Sequence, residues 1–118
     1  MTMKQIRNFI NGEYVASERT FDKTSPLTGE VIAKVHEADR AAVDKAVAAA
    51  RAALNGPWSR MTVAERVEKL YAVADGINRR FDEFLAAECA DTGKPVNIAS
   101  HIDIPRGAAN FKIFAVLV

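Results

Sequence analysis

The chain has 118 residues, of which 49% are hydrophobic, 26% charged and 8% aromatic, an ordinary composition for a globular domain. Its 16 Lys and Arg residues and 15 Asp and Glu residues are mixed along the chain, so the basic stripe of a nucleic-acid-binding protein is missing. The lone cysteine, Cys89, excludes an internal disulfide and any site built from two thiolates. No apolar run approaches the ~18 residues of a membrane span, and no secretion signal is visible. We therefore expect a cytoplasmic protein with no nucleic-acid or membrane partner.

The opening third of the chain predicts β structure. The Asn-Gly pair at 11–12 lies between runs of β-forming residues and tolerates the positive φ angles of a two-residue turn, so a hairpin is predicted over 7–15. Pro26 and Gly29 predict a turn, because proline fixes φ and glycine relaxes it. A short strand is then expected over 31–35.

An alanine-rich helix is predicted over about residues 40–54, with Asp39 as its N-cap. Its apolar residues recur at helical spacing and form one stripe, and the many alanines indicate close approach to a neighbouring element. Gly56 is expected to end this helix in the left-handed conformation, since Pro57 cannot continue it.

A longer helix is predicted from Thr62, which forms a capping box with Glu65. Its apolar residues keep the helical spacing without a break as far as Asp-Thr-Gly-Lys-Pro at 91–95, where Gly93 is expected just after the last helical residue. A third helix is expected to begin between residues 100 and 105.

These elements predict an α+β chain, with strands over 1–36 followed by three helices over 39–118 in a single segment. The last eight residues are almost wholly apolar and carry no stop signal, whereas most domains end in polar residues. The sequence therefore predicts an element cut through its middle and a chain truncated at its C-terminus.

The sequence by itself shows no set of residues that is typical of a catalytic site. No Gly-x-Gly-x-x-Gly fingerprint or phosphate-binding loop is present, so no cofactor-binding residue is predicted. Cys89 lies two residues from Asp91, whose negative charge disfavours a thiolate, and a half-buried hydrophobic role is expected. Asp103 and Arg106 lie three residues apart on the third helix, where they are able to form an ion pair.

Several sequence fragments in a fixed order indicate a protein family more specifically than any one fragment does. Phe-Ile-Asn-Gly-Glu-Tyr-Val at 9–15 precedes Ser-Pro-Leu-Thr-Gly-Glu-Val-Ile at 25–32, and Asp-Thr-Gly-Lys-Pro follows at 91–95. Over 8–114 the chain resembles the N-terminal portion of the NAD(P)-dependent aldehyde dehydrogenase superfamily. The stretch 100–114 is similar to the branch that oxidises muconic semialdehydes in aromatic-ring catabolism.

The resemblance implies an oxidoreductase that is several times longer than this chain, has an α/β fold when complete, uses NAD and forms a homo-oligomer. This chain corresponds to the N-terminal part of its cofactor-binding domain. A cysteine thiolate attacks the aldehyde, hydride passes to the nicotinamide, and a glutamate-activated water hydrolyses the thioester. The catalytic and cofactor-contacting residues lie downstream, so the resemblance implies that this chain alone is inactive and that Cys89 is not the nucleophile.

The resemblance implies a role for four residues present here. A structural monovalent cation is expected on the Asp91 carboxylate and on the backbone carbonyls of Lys23 and Thr24, with Asp91 as a simple helix-end residue as the alternative. Arg106, on the helix beside the substrate tunnel, is expected to bind the carboxylate that a muconic semialdehyde carries far from its aldehyde. Pairing of Arg106 with Asp103 is the alternative.

A free-standing, non-catalytic binding or assembly module derived from this segment is the alternative for the whole chain. It predicts a chain that folds cooperatively by itself. The truncated dehydrogenase instead predicts helices whose apolar stripes lack their partners and expose apolar patches.

Overall fold

The computed structural model describes residues 3–117, which form two compact units divided between Arg60 and Met61. In this part of the chain the strands precede the helices, which is the α+β arrangement expected from the sequence. The strands are β1 (Lys4–Ile6), β2 (Asn8–Ile10), β3 (Glu13–Val15), β4 (Thr20–Thr24) and β5 (Val31–His36). The helices are α1 (Arg40–Ala53), α2 (Pro57–Arg60), α3 (Val63–Arg79), α4 (Phe81–Thr92), α5 (Val96–Ile98) and α6 (Ile104–Ala115), with a π-helical turn (Ala99–Asp103) before α6. No helix in this described part has the length and apolar character that crossing a bilayer requires.

The first unit contains a three-stranded sheet and a separate hairpin. The sheet has the order β1-β5-β4, with β5 parallel to β1 and antiparallel to β4. The hairpin pairs β2 with β3 across Asn11 and Gly12, whose φ angles of 52° and 84° confirm the predicted two-residue turn. The turn between β4 and β5 is also confirmed: Gly29 has a φ of 73°, and the Ser25 hydroxyl accepts hydrogen bonds from two turn amides.

Helix α1 begins as the sequence predicts but ends differently. The Asp39 carboxylate accepts a 2.7 Å hydrogen bond from the Ala42 amide, which satisfies a donor at the helix start. The prediction of a left-handed Gly56 was wrong, because the φ of this glycine is not positive. The amides of Leu54, Asn55 and Gly56 instead donate to carbonyl groups three residues back. These tighter turns provide hydrogen-bond donors for the last carbonyl groups of the helix without a left-handed residue.

Helix α3 begins with the predicted capping box and ends earlier than predicted. The Glu65 amide donates to the Thr62 hydroxyl oxygen at 3.3 Å, and the Thr62 amide donates to the Glu65 carboxylate at 2.7 Å. The prediction of one unbroken helix was wrong, since Arg80 (φ −107°, ψ 28°) separates α3 from α4. Arg79 lies in the last turn of α3 and two acidic residues lie in the first turn of α4, so each new helix end carries the charge that its dipole favours.

Helix α4 ends as predicted at Gly93, which has a φ of 73° and donates its amide to the Cys89 carbonyl at 3.0 Å. The helical backbone resumes at Val96, earlier than the predicted start between 100 and 105. The π-helical turn then leads into α6, whose first turn contains Pro105. Proline has no amide hydrogen, so Pro105 cannot donate a backbone hydrogen bond. One bond of a regular α-helix is therefore missing at the point where the π-helical pattern changes to the α-helical one.

The second unit is packed mainly through alanine, with α3 lying against α6. The buried residues of these two helices are Ala74, Ile104, Ala108 and Ala115. Because alanine has no side-chain atom beyond Cβ, helices in contact through it approach closely. Lys112 of α6 adds an exposed ion pair of 2.9 Å with Asp75 of α3.

Replacing Thr62 by alanine should lower the free energy of unfolding by about 1 kcal/mol, because the N-cap loses its hydroxyl acceptor. Thr62→Ser keeps the hydroxyl and should remain close to wild type. Urea denaturation followed by circular dichroism measures both variants. An equal loss in the two variants would contradict the capping role of the hydroxyl.

The capping box also predicts a pH dependence. Hydrogen bonds from the Thr62 amide and hydroxyl hold the pKa of Glu65 below its ordinary value of 4.5. A lowered carboxyl pKa contributes stability that is present above pH 4.5 and is lost as the pH falls through the lowered pKa. Glu65→Gln should therefore weaken the dependence of stability on pH in this acidic range. Urea titrations at several pH values measure the effect, and the same acid dependence in variant and wild type would argue against it.

Candidate functional site

Arg106, the predicted substrate-binding residue, lies near the start of α6 with an exposed side chain. Within residues 3–117, no carboxylate pairs with its guanidinium group. A guanidinium group presents its donors in one plane and binds a carboxylate through two parallel hydrogen bonds. Arg106 is therefore available to an anion that comes from outside this part of the chain.

Asp103 does not form the ion pair with Arg106 that their spacing allows. The Lys94 ammonium group instead lies 2.9 Å from Asp103 Oδ2 and 3.5 Å from Glu88 Oε1. The Asp103 side chain is 27% exposed and that of Lys94 is 42% exposed, so the pair is partly shielded from water. The hydrogen bond to Asp103 is the main cause that raises the pKa of Lys94 above its ordinary value of 10.5. Lys94 is thus charged at neutral pH and holds the Asp103 carboxylate.

Three elements bring the Lys94 contacts together. Glu88 lies on α4, Lys94 follows the left-handed Gly93 that ends this helix, and Asp103 is the last residue of the π-helical turn. The Lys94 amide donates to the Thr92 hydroxyl oxygen at 3.2 Å, which ties its backbone to the end of α4. Sequence reasoning missed this contact, because a separation of nine residues between Lys94 and Asp103 matches no helical spacing.

The three residues predicted to bind a monovalent cation lie on different elements. Lys23 and Thr24 are the last residues of β4, where the pairing register with β5 shifts. Asp91 lies in the last turn of α4 with an exposed side chain. The cation site stays a prediction.

Cys89 is a half-buried residue of α4 with a free thiol. Among the residues that the structure describes, no three or more His, Cys, Asp or Glu side chains are grouped to hold a metal ion. Anion binding at an exposed guanidinium group such as that of Arg106 is a chemistry that the described side chains offer.

A dinucleotide does not fit the strand-to-helix connection of this chain. Such cofactors commonly place their phosphates on a glycine-rich turn that opens a helix. The connection from β5 to α1 contains no glycine and ends at Asp39, whose carboxylate already occupies the helix N-terminus. A phosphate group would be repelled there, so this connection provides no cofactor site.

A cavity of about 490 Å³ lies within the first unit, beside the start of α1. Glu18, Glu37 and Asp39 line it together with Arg19 and Lys45, and Arg19 forms a 3.0 Å ion pair with Glu37. Charges of both signs compensate one another, and the four residues predicted to bind substrate or cation do not line this cavity. Arg106 therefore remains the better candidate.

The model of the aldehyde dehydrogenase family matches residues 14–118. This match covers most of the first unit and the second unit with the Arg106 helix. The chain belongs to the aldehyde dehydrogenase family. Family membership confirms the resemblance drawn from the ordered sequence fragments, and the α+β chain is the N-terminal part of the aldehyde dehydrogenase fold.

Muconic semialdehyde dehydrogenases are among the similar aldehyde dehydrogenases. The chain is 67% identical over 118 residues to 2-hydroxymuconic semialdehyde dehydrogenase of Pseudomonas sp. (strain CF600), covering 98% of this chain and 24% of that protein. It is 54% identical over 113 residues to 2-aminomuconic 6-semialdehyde dehydrogenase of Pseudomonas sp., covering 96% and 23%. The NAD+ complex of an aldehyde dehydrogenase from Bacillus cereus has a TM-score of 0.92 and 40% identity, covering 96% of this chain and 24% of that one. The chain thus spans about a quarter of the length of these relatives.

Proposed function

We propose that the protein containing this chain oxidises a muconic semialdehyde to the corresponding carboxylic acid with NAD+. The observation that carries the proposal is the 67% identity to a 2-hydroxymuconic semialdehyde dehydrogenase across nearly the whole chain. The second semialdehyde dehydrogenase, at 54% identity, supports the same class of substrate. Because the chain spans about a quarter of these relatives, the proposed activity is that of a longer protein, which we expect to be a cytoplasmic homo-oligomer.

The proposed reaction needs a nucleophile that this chain does not supply. A cysteine thiolate elsewhere in the protein adds to the aldehyde carbon, loss of hydride leaves a thioester, and water hydrolyses the thioester to the acid and the free thiolate. NAD+ supplies the hydride acceptor when it is bound. Cys89 takes no part in this proposal, because it is a half-buried helix residue.

Arg106 is the residue of this chain that we propose to contact the substrate. A muconic semialdehyde carries a carboxylate at the end remote from its aldehyde. The exposed guanidinium group, without an ion-pair partner among residues 3–117, is suited to bind this carboxylate through two hydrogen bonds. Binding at one end fixes the reach of the aldehyde at the other, and so Arg106 would orient the substrate for attack.

Exposed apolar side chains support a larger protein over a free-standing module. Val43 and Val47 on the predicted stripe of α1 are 51% and 49% exposed. Phe114 of α6 is 63% exposed, and Leu117 is 70% exposed. Apolar groups clustered on helices in this way usually pack against further protein.

The natural-length protein, meaning the longer protein proposed to contain this chain, should reduce NAD+ when it is given 2-hydroxymuconic semialdehyde. The isolated 118-residue chain should not reduce NAD+, because this chain lacks the nucleophile. The absorbance of NADH measures both. Natural-length protein with Cys89→Ser should retain the activity, and its inactivation would contradict the proposal that Cys89 is not the nucleophile. A native polypeptide of only 118 residues, established by mass spectrometry, would instead favour the non-catalytic module.

Replacing Arg106 by alanine in the natural-length protein should raise KM for the semialdehyde about 10- to 100-fold, as expected for loss of a hydrogen-bonded charge pair. The KM of an uncharged aliphatic aldehyde should change far less. Arg106→Lys keeps the charge without the planar pair of donors and should be intermediate. Steady-state kinetics with both substrates decide the matter, and equal effects on the two would exclude carboxylate binding.

A further inference from the structure

Asp103, the residue just before α6, is positioned to compete with the substrate for Arg106. Asp103 lies three residues before Arg106, a spacing at which an acidic and a basic side chain are neighbours on a helix surface. The backbone at Asp103 is already right-handed helical (φ −69°, ψ −52°), so this spacing applies. A carboxylate in this position would bind the same guanidinium donors that a substrate carboxylate needs.

Lys94 binds the Asp103 carboxylate. Its ammonium group lies 2.9 Å from Asp103 Oδ2, on a side chain that is itself 42% exposed and held at its base by the end of α4. Glu88, at 3.5 Å, provides a second carboxylate that keeps the ammonium group in place. With Asp103 occupied, the Arg106 guanidinium has no carboxylate partner among residues 3–117.

We infer that Lys94 is a positioning residue for substrate selectivity: by binding Asp103, it keeps Arg106 free to bind the carboxylate of the substrate. The inference rests on the proposed function, which assigns carboxylate binding to Arg106. It adds Lys94 and Asp103, which act through Arg106 and are not proposed to contact the substrate. Without Lys94, the partly shielded Asp103 carboxylate lacks its cation, and Arg106 is the basic residue three positions further along the helical backbone.

The first test is the variant Lys94→Met in the natural-length protein. Competition from a surface ion pair should raise KM for 2-hydroxymuconic semialdehyde about two- to fivefold relative to an uncharged aliphatic aldehyde, with little change in kcat. Lys94→Arg preserves a cation for Asp103 and should restore the wild-type ratio of the two KM values. Lys112→Met is the matched control, because it removes the same charge from another 2.9 Å ion pair, the one with Asp75. It should leave the ratio unchanged.

Two double variants separate the release of Asp103 from a simple change in net charge. Lys94→Met with Asp103→Asn removes the competitor and should return the KM ratio to that of wild type. Lys94→Met with Glu88→Gln restores the same net charge but leaves Asp103 able to pair with Arg106, so its KM ratio should remain raised. Recovery in both double variants, or in neither, would overturn the inference.

The crystal structure of Lys94→Met distinguishes failure of the inference from failure of the proposed function. We expect an ion pair between Asp103 and Arg106 with a nitrogen–oxygen distance within ~4 Å. If Arg106→Ala is selective for the acidic substrate but this pair is absent and Lys94→Met leaves the KM ratio unchanged, Lys94 is not a positioning residue. If the pair forms but Arg106→Ala affects both substrates equally, the assignment of carboxylate binding to Arg106 fails, and the role of Lys94 in selectivity fails with it.

Discussion

Close contact between helices through alanine is the constraint on which the second unit depends. Ala74 of α3 and Ala108 and Ala115 of α6 are buried with almost no exposed surface, and the larger buried side chain on these helices is Ile104. Small side chains bring two backbones close together but bury little apolar area, so this contact fixes geometry more than it adds hydrophobic stabilisation. The helix that carries Arg106 is positioned by this contact.

The ion pair between Lys94 and Asp103 acts within that geometry. Partly exposed ion pairs contribute little to folding stability because water screens them and two long side chains lose their freedom. An ion pair of this kind still determines which other charged groups are free to bind a ligand. A carboxylate that is already bound by one cation pairs less readily with a second cation. Lys94 and Asp103 are therefore better understood through their effect on Arg106 than through their effect on stability.

Membership of the aldehyde dehydrogenase family gives a physical reason for the apolar surface of the chain. The relatives are about four times as long, since this chain covers 23–24% of the two semialdehyde dehydrogenases. Half-exposed side chains such as Val43 and Val47 form a regular stripe along α1, the pattern of a helix that packs against another element. Under the proposed function, the rest of the enzyme covers such surfaces and supplies the catalytic groups.

The sequence by itself determined the features that depend on a few neighbouring residues. The hairpin follows from the backbone freedom of Asn11 and Gly12, and the helix starts follow from hydrogen bonds that Asp39 and Thr62 make within three residues. The left-handed Gly93 is equally local. The ordered fragments also identified the family, and through it Arg106 as a candidate residue.

Two kinds of feature were decided only by the tertiary structure. The first is a contact between residues far apart in the chain, and the second is a helix irregularity that does not change the spacing of the apolar residues. The break at Arg80 was missed because the apolar spacing continues across it, although the charges change sign there. The π-helical turn was missed for a similar reason, since a single wide turn barely disturbs the pattern. The sequence offered Arg106 as an ion-pair partner for Asp103. In the structure, Lys94 pairs with Asp103 instead, because the turn at Gly93 and the π-helical turn together bring residues nine positions apart into contact.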